Sequence, residues 1–311
     1  MRRGTLFVLI TAHPDDESLF FLPTIWNLLK MKQSGNSEEL HCQVWLVCLT
    51  TGDYDGLGST RSKELEMLCQ TIIPFDKFLL VNNPKDLPDH PCQRWNTPAA
   101  SDCLSTLLTT ALDKNQTQWR PQNLVLITFD AGGVSGHRNH QDTFFAVQNL
   151  WARQQPPYQQ PGAPLPPLQI WSLETVYNPI RKYIPIYEWF LLLVYWCLRG
   201  MDVTFRVLSF RSDFSQSWYA FGRGTCEFFS CGSSNFCNKI EDDYFSQTRS
   251  IIFRLHDPLL SWKAMSMHAS QFVWYRRLFV VFSCYTYVNH LRRMDIESDG
   301  NESGDSGRGK L

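Results

Sequence analysis

The sequence predicts an α/β fold in which helices cover both faces of a mostly parallel β-sheet. Short apolar runs recur along the first half of the chain, and stretches of helical periodicity separate them. Strands that alternate with helices of about 10–15 residues form parallel sheets, because parallel strands need a long crossover connection. The predicted sheet is therefore Rossmann-like, and sites in such sheets form beyond the carboxyl ends of the strands.

Five strands are expected where a short apolar run is bounded by polar or turn residues. Each run is too short for a helix and has the length of a buried strand. The runs are residues 6–11, 44–50, 77–81, 124–129 and 169–173.

Four helices are expected between these strands. Ser59 or Thr60 can cap the second helix, and Thr97 can cap the third, with Pro98 at its first helical position. The fourth helix repeats apolar residues on one face, which would pack on the sheet. The predicted helices are residues 18–32, 59–72, 97–113 and 139–153.

Residues 1–290 are predicted to form a single domain. A proline-rich loop interrupts it at residues 154–168, and an irregular insertion is expected at about residues 199–250. Residues 295–311 are rich in Gly, Ser and acidic side chains, so a disordered tail is expected there.

Two apolar segments in the second half of the chain have two interpretations. Residues 184–198 are interrupted only by Glu188, and a membrane span would need about 20 residues. The segment is therefore either a buried core helix or an interfacial, re-entrant membrane segment. Residues 272–288 are also apolar and aromatic, with Arg276 and Arg277 inside them, and basic residues favour an anionic membrane surface.

Composition excludes some classes of function. The formal net charge is −1, which argues against a nucleic-acid surface, since phosphate binding needs a strong basic excess. Most of the ten cysteines stand singly in apolar runs, as Cys42, Cys48, Cys69 and Cys103 do. No secretory signal peptide is expected before the first strand, so the thiols are expected to be reduced in contact with the cytosol.

Two histidine clusters follow two of the predicted strands. Residues 12–17 read AHPDDE after the first strand, and residues 137–140 read HRNH after the fourth. Parallel strands bring their carboxyl ends to one edge of the sheet, so the clusters can converge on one metal ion. Two histidines, a carboxylate and an open position suit Zn²⁺, and the same set suits Fe²⁺.

The spacing within each cluster divides the work between neighbouring side chains. The side chains of Asp15 and Asp16 are expected to point apart, so one can bind the metal while the other faces a substrate. His13 is close enough to share the ion, and His137 and His140 share one face of a helical turn. Taken singly, the first cluster also fits a simple turn, and the second fits a solvated helix face.

The motifs of the chain resemble those of a known family. Residues 12–17 and 128–140 resemble the two signature motifs of the LmbE-like (PIG-L) zinc deacetylases. The resemblance covers about residues 5–185 and 258–290. Further stretches similar to eukaryotic members are residues 51–54, 61–65, 86–89, 268–271 and 274–278.

The resemblance implies the LmbE-like deacetylase fold and a role for each residue of the clusters. It implies zinc ligation by His13, Asp16 and His140. It makes Asp15 the general base and His137 the group that stabilises an oxyanion, as an imidazolium, or helps to protonate the leaving amine. The residues themselves do not decide between Asp15 and His137 as the final proton donor.

Two more residues are expected at the site. Arg61 is expected to contact the substrate, the alternative being a surface ion pair with Glu64 three residues on. Asp130 is expected to support a ligating histidine, the alternative being a cap of its own loop.

The resemblance also implies a function. It implies hydrolysis of a linear amide, the zinc-dependent removal of acetate from N-acetylglucosaminyl-phosphatidylinositol, early in glycosylphosphatidylinositol (GPI) anchor synthesis. The implied partners are this glycolipid and the cytoplasmic face of the endoplasmic reticulum membrane, with protein partners undefined. No hydrophobic anchor is expected before the first strand, so a soluble cytosolic form is the alternative. The alternative functions are deacetylation of a soluble N-acetylglucosamine conjugate and a catalytically silent zinc-binding subunit of a membrane complex.

Overall fold

One seven-stranded sheet organises the protein. The computed structural model describes residues 4–34, 41–114, 119, 121–155, 165–207 and 249–294. The strands are β1 Gly4–Thr11, β2 His41–Cys48, β3 Lys77–Leu80, β4 Asn123–Phe129, β5 Leu168–Leu173, β6 Ser250–Arg254 and β7 Val288–Arg293.

The sheet is mostly parallel, as predicted. Its strand order is β3-β2-β1-β4-β5-β7-β6. The first five strands pair in parallel, while β7 runs antiparallel to both β5 and β6. All five predicted strands are confirmed, with shifted ends. The strands β6 and β7 were not predicted, and they bring the C-terminal part of the chain onto the same sheet.

Helices cover the sheet between these strands. They are α1 Asp16–Leu19, α2 Leu22–Ser34, α3 Gly58–Thr71, α4 Thr97–Asp113, α5 Gly133–Gly136, α6 Arg138–Arg153, α7 Pro179–Tyr183, α8 Ile186–Val207, α9 Pro258–Met267 and α10 Trp274–Phe282, followed by a 3₁₀ turn at Cys284–Thr286.

The helix expected at residues 18–32 is divided into α1 and α2 by a break after Leu19, and Pro23, a residue that favours a kink or the start of a helix, is the second residue of α2. The caps predicted for the next two helices are wrong. Ser59 and Thr60 do not cap α3, because the residue before that helix is Leu57 and both lie inside it. The cap of α4 is Asn96, whose side chain accepts a hydrogen bond from the Ala99 N–H.

The core lies on both faces of β1 and β4. Leu6, Val8 and Ile10 of β1 are fully buried, and so are Leu124 and Leu126 of β4. Strands covered on both faces read as continuous apolar runs, which is why the sequence located them. The cysteines predicted to be reduced, buried residues are free thiols, with Cys48 and Cys69 buried and Cys42 and Cys103 partly buried.

One buried amide ties the C-terminal strand to the helical layer. The Oδ1 atom of Asn289 on β7 accepts hydrogen bonds from the backbone N–H of Thr24, at 3.2 Å, and from its hydroxyl, at 2.8 Å. The Nδ2 atom donates to the Phe20 carbonyl at 2.8 Å. Because Asn289 is fully buried, each partner would lose a hydrogen bond without gaining water if the amide were removed.

The interpretation of residues 184–198 as a buried core helix is wrong. The helix α8 exposes Phe190, Leu193 and Trp196 by 59%, 62% and 50%. It also continues to Val207, so the start of the expected irregular insertion is helical. Every helix in the described parts of the chain is too short or too polar to cross a membrane.

Several predicted segments fall outside the described residues. They are residues 208–248 of the expected insertion, residues 156–164 of the proline-rich loop and the tail 295–311. The extent of the single domain, residues 1–290, stays a prediction.

Candidate active site

The two histidine clusters meet at one edge of the sheet, as predicted. His13 follows β1, and His137 and His140 lie at the start of α6, after the neighbouring strand β4. The ring of His13 is 5.0 Å from that of His137 and 5.5 Å from that of His140, and the last two are 5.1 Å apart, between centroids. Adjacent parallel strands therefore bring together residues that are far apart in the sequence.

The three histidines form a group that can hold a metal ion. One ring nitrogen from each of His13, His137 and His140 lies within 4.8 Å of the other two. Imidazole nitrogens are common ligands of zinc and of other divalent transition metals. This group includes His137, which the resemblance assigned to the oxyanion or the leaving amine rather than to the metal.

Asp16 connects both clusters. Its Oδ2 atom accepts hydrogen bonds from the backbone N–H groups of Ala12, at 3.0 Å, and of His13, at 2.8 Å. Its Oδ1 atom lies 3.1 Å from Nε2 of His140. Burial opposes ionisation of this carboxylate, yet His140 and His13 hold the pKa of Asp16 well below its usual value. Asp16 is therefore an anionic oxygen donor next to two histidines, in agreement with its predicted place.

The orientation of His140 tests whether these residues fit a cation. Its Nδ1 atom is 3.0 Å from the Gly133 carbonyl oxygen, which can only accept, so Nδ1 carries the proton. In the neutral ring, Nε2 then offers a lone pair toward Asp16, which is also an acceptor. Two acceptors at 3.1 Å need a proton or a metal ion between them. The ring is fixed in this orientation by stacking on Phe129, with centroids 4.2 Å apart.

Asp89 supports His13 from the side away from Asp16. Its Oδ1 atom lies 3.0 Å from Nε2 of His13, and the Asn139 amide donates to the same oxygen at 3.1 Å. Burial alone would lower the pKa of His13, but Asp16 and Asp89 outweigh it and raise that pKa to about 9. Burial opposes ionisation of Asp89 as well, and His13 still lowers its pKa to about 2. A carboxylate behind a ligating histidine orients the ring and increases its basicity.

Asp130, the residue expected to support a histidine, caps its own loop instead. Its Oδ1 atom accepts from the N–H groups of Gly132, at 3.0 Å, and Gly133, at 3.1 Å, and its Oδ2 atom accepts from the Thr175 N–H at 2.7 Å. It reaches His140 only indirectly, by holding the loop whose Gly133 carbonyl accepts from that ring. Gly133 has a φ of +63°, and a Cβ there would stand 3.1 Å from that of His140, so glycine is required.

Asp15 pairs with two arginines. Its Oδ2 atom lies 3.4 Å from Nη2 of Arg61 and is hydrogen-bonded to Nη1 of Arg276. Its backbone has a φ of +134°, which is rare for a residue other than glycine, and its N–H donates to Glu17 at 3.1 Å. Asp15 and Asp16 therefore point to different partners, as their adjacency predicted.

The surface ion pair considered for Arg61 is wrong. Arg61 is only 9% exposed, and it donates to the carbonyls of Gly52, at 3.0 Å, and Pro14, at 3.1 Å. Glu64 accepts instead from the N–H and the hydroxyl of Ser270, both at 2.7 Å. Contact of Arg61 with a substrate stays a prediction.

A second buried pair lies behind Asp15. His268 is fully buried, and its Nε2 atom is 2.7 Å from Oε1 of Glu17. Burial lowers the pKa of His268, but the Glu17 carboxylate outweighs it and leaves that pKa above its ordinary value. Glu17 therefore bridges His268 and the backbone N–H of Asp15.

His137 differs from His13 in the direction of its pKa shift. Burial, together with the charges of His13 and His140, lowers its pKa to about 4. The ring is therefore neutral at neutral pH, which argues against the expected imidazolium. A neutral ring can serve as a metal ligand or as a hydrogen-bonding group.

The motifs predicted no role within the active site for Asp89, Arg276, Glu17 and His268. All four lie within motifs that carry the family resemblance, at residues 12–17, 86–89, 268–271 and 274–278. The motifs therefore indicated these positions, but they did not predict which residues each side chain contacts.

The two histidine clusters line a cavity of about 620 Å³. The polar side chains of its lining include the histidines, Asp15, Asp16, Arg61 and Asp89. The apolar side of the lining includes Tyr183, Tyr275, Leu278, Phe279 and Phe282. The cavity can therefore hold a ligand with one polar and one apolar part.

Fold and site together define an α/β protein with a histidine-based metal site and a separate carboxylate beside it, which is the donor set of a metal-dependent hydrolase. A family model described as "PIG-L: GlcNAc-PI de-N-acetylase" matches residues 8–151. Over these residues the chain is similar to the PIG-L family, and it is an enzyme of the deacetylase type.

Curated relatives extend the match over most of the chain. The N-acetylglucosaminyl-phosphatidylinositol de-N-acetylase of Bos taurus is 29% identical over 289 residues, which are 93% of this chain and 83% of the relative. A probable enzyme of the same name from Schizosaccharomyces pombe is 33% identical over 177 residues, or 56% of this chain and 58% of the relative. A solved deacetylase of teicoplanin biosynthesis aligns with 94% of this chain and 100% of its own, at 11% identity and a TM-score of 0.46.

Replacing Asp89 by Asn should weaken metal binding. The amide keeps the shape of the side chain but removes the negative charge behind His13, so we expect a 10–100-fold larger dissociation constant for Zn²⁺, about the range seen for such partners. A competition assay with a chromophoric chelator measures it. The matched control is Asp86→Asn in the same loop, since Asp86 contacts Asn83 rather than a histidine. Equal affinities for Asp89→Asn and the control would contradict the assignment.

Replacing His268 by Gln should cost more stability at low pH than at high pH. Because the folded pKa is raised, protonated His268 stabilises the fold below its unfolded pKa of about 6.5. That stabilisation is lost as the pH rises through the folded value. Urea unfolding at pH 6 and pH 9 should therefore show a smaller difference from the unsubstituted protein at pH 9.

His256→Gln serves as the contrast, because burial lowers the pKa of His256. Its contribution should not decrease between pH 6 and pH 9. A difference for His268→Gln that stays constant or grows with pH would contradict the charged pairing with Glu17.

Proposed function

We propose that the protein is a zinc-dependent hydrolase that removes acetate from N-acetylglucosaminyl-phosphatidylinositol, giving glucosaminyl-phosphatidylinositol in GPI-anchor biosynthesis. The observation that carries the proposal is the pairing of a histidine cluster with a separate carboxylate, Asp15, in one cavity with a polar and an apolar side. The similarity of residues 8–151 to the PIG-L family and the names of the curated relatives support the same substrate.

We assign the metal to His13, Asp16 and His140. The alternative is that His137 also binds it, as a third nitrogen ligand. The donor set of imidazoles and a carboxylate fits zinc, and it also fits Fe²⁺. Zinc in such a site polarises an amide carbonyl and makes water more acidic.

Asp15 is the proposed general base. It lines the cavity, and its carboxylate pairs with Arg61 and Arg276. Asp15 takes a proton from the attacking water as the new C–O bond forms at the acetyl carbon. When the C–N bond breaks, the amine nitrogen takes up a proton and leaves with the sugar, and acetate is released.

The lowered pKa of His137 favours Asp15 as the donor of that last proton. Asp15 has just received a proton, whereas the lowered pKa of His137 leaves its ring neutral. His137 then serves as a hydrogen-bonding group for the developing negative charge or as a metal ligand.

The substrate determines where the enzyme works. A glycolipid of the GPI pathway lies in the endoplasmic reticulum membrane, and we propose that the protein acts at its cytoplasmic face. Deacetylation of a soluble N-acetylglucosamine conjugate is a weaker second candidate, because the apolar side of the cavity would then have no ligand. A catalytically silent zinc-binding subunit would not need Asp15 beside the histidines.

Replacing Asp15 by Asn should lower kcat by at least about 100-fold, the usual range for loss of a general base, while zinc stays bound. Acetate release from the glycolipid measures activity, and metal analysis measures zinc content. Asp102→Asn is the control, since Asp102 is an exposed partner of Arg153 far along the chain from the clusters. Full activity of Asp15→Asn would remove the proposed base.

Alanine at His137 and at His140 should give different losses. His140→Ala should lose both zinc and activity. If His137 stabilises the oxyanion, His137→Ala should retain zinc and lose kcat, whereas a ligand at this position would lose zinc as well. Normal zinc content and normal kcat in His137→Ala would exclude both roles.

A further inference from the structure

The exposed apolar side chains of this protein are concentrated in two segments. All but three of the large apolar residues exposed in the described parts of the chain lie in residues 177–196 and 259–282. The exceptions are Tyr54, Met67 and Phe145. We call the surface formed by the two segments the apolar face.

The two segments adjoin in space. The ring of Tyr183 lies 6.2 Å from that of Phe279, and the ring of Trp189 lies 5.9 Å from that of Phe282, between centroids. Trp274 is 72% exposed at the start of α10, and Leu193 is 62% exposed on α8. A continuous apolar surface of this kind marks an interaction site, because soluble proteins rarely leave one open to water.

The charges on the apolar face have one dominant sign. The two segments contain five Lys and Arg residues and a single acidic residue, Glu188. Arg181, Lys263 and Arg277 are exposed among the apolar side chains. Basic residues beside an apolar surface complement the anionic headgroups of a cytoplasmic leaflet.

The aromatic residues of the apolar face also favour a lipid interface. Trp and Tyr have an apolar ring and a polar atom, and they collect at the boundary between lipid and water. The exposed residues of these two types in the segments are Tyr177, Tyr183, Tyr187, Trp196, Trp262, Trp274 and Tyr275.

The apolar face is continuous with the candidate active site. Tyr183, Tyr275, Leu278 and Phe282 are exposed on the face, and they also line the apolar side of the cavity. A lipid entering from this side would bring its polar head toward the histidines and leave its acyl chains among apolar groups.

We propose that the apolar face docks on a lipid bilayer and opens the cavity toward it, so that the substrate is taken from the plane of the membrane. The second part of this proposal rests on the proposed function, whereas docking itself does not. The helices would lie in the interface rather than cross the membrane.

The test compares binding of the full-length protein to vesicles of phosphatidylcholine with 20 mol% phosphatidylinositol, a composition of about the anionic content of a cytoplasmic leaflet. The variant combines Phe190→Ser, Leu193→Ser and Trp274→Ser, three exposed residues that do not line the cavity. Flotation should show at least a tenfold weaker partition onto vesicles. The control combines Met67→Ser and Phe145→Ser, which remove exposed apolar side chains outside the apolar face.

Activity on two substrates separates docking from chemistry. The triple variant should lose at least tenfold in kcat/KM on the glycolipid in vesicles and keep its kcat/KM on water-soluble N-acetylglucosaminyl-inositol phosphate. If neither substrate reacts with the unsubstituted protein, the proposed function fails while the flotation result still decides docking. A second variant, Trp196→Ser with Val281→Ser, checks that any loss follows the surface rather than one side chain.

Two results would overturn the proposal. One is equal vesicle binding by the triple variant and the control. The other is a dimer of the unsubstituted protein that dissociates in the triple variant in sedimentation analysis, without vesicle binding by either, since the face would then join two copies of the chain.

Discussion

The site depends on the carboxylate of Asp16. One oxygen holds the backbone N–H groups of Ala12 and His13 at the end of β1, and the other faces His140 on α6. A single buried anion thus fixes the loop after one strand against the helix after another. The contact also orients the ring of His140, since either a hydrogen or a cation must lie between its Nε2 atom and the Oδ1 atom of Asp16.

Charge is balanced locally around this anion rather than across the whole molecule. Asp89 stands behind His13, two guanidinium groups face Asp15, and Glu17 meets His268. Each of these charges is wholly or partly buried, and an unpaired buried charge would be costly. The pairing keeps neighbouring carboxylates from sharing one partner, so adjacent Asp15 and Asp16 can have different chemical roles.

The parallel strands and the meeting of the two histidine clusters could be predicted from the sequence, whereas the contacts made by the C-terminal segment could not. The parallel strands were predictable because both of their faces are buried and their residues are continuously apolar. The convergence of the clusters followed from strand adjacency. The contacts of Arg276 with Asp15 and of His268 with Glu17 join residues far apart in the chain. Arg276 and His268 lie between β6 and β7, two short strands that the sequence pattern did not predict. The exposure of α8 could not be predicted either, because the sequence of an apolar helix has the same pattern whether protein or lipid covers it.

The unpredicted strand β7 has a consequence for how the protein becomes functional. The histidine cluster and Asp16 are complete once the first half of the chain has been synthesised, since the last of these residues is His140. Arg61 is then already present beside Asp15, whereas its second arginine, Arg276, and the partner of Glu17, His268, follow only with residues 268–276. Asn289 of β7 is made later still, and it joins that strand to α2. A newly made chain therefore carries the histidine cluster and Asp16 well before it carries the second arginine beside Asp15 and the partner of Glu17.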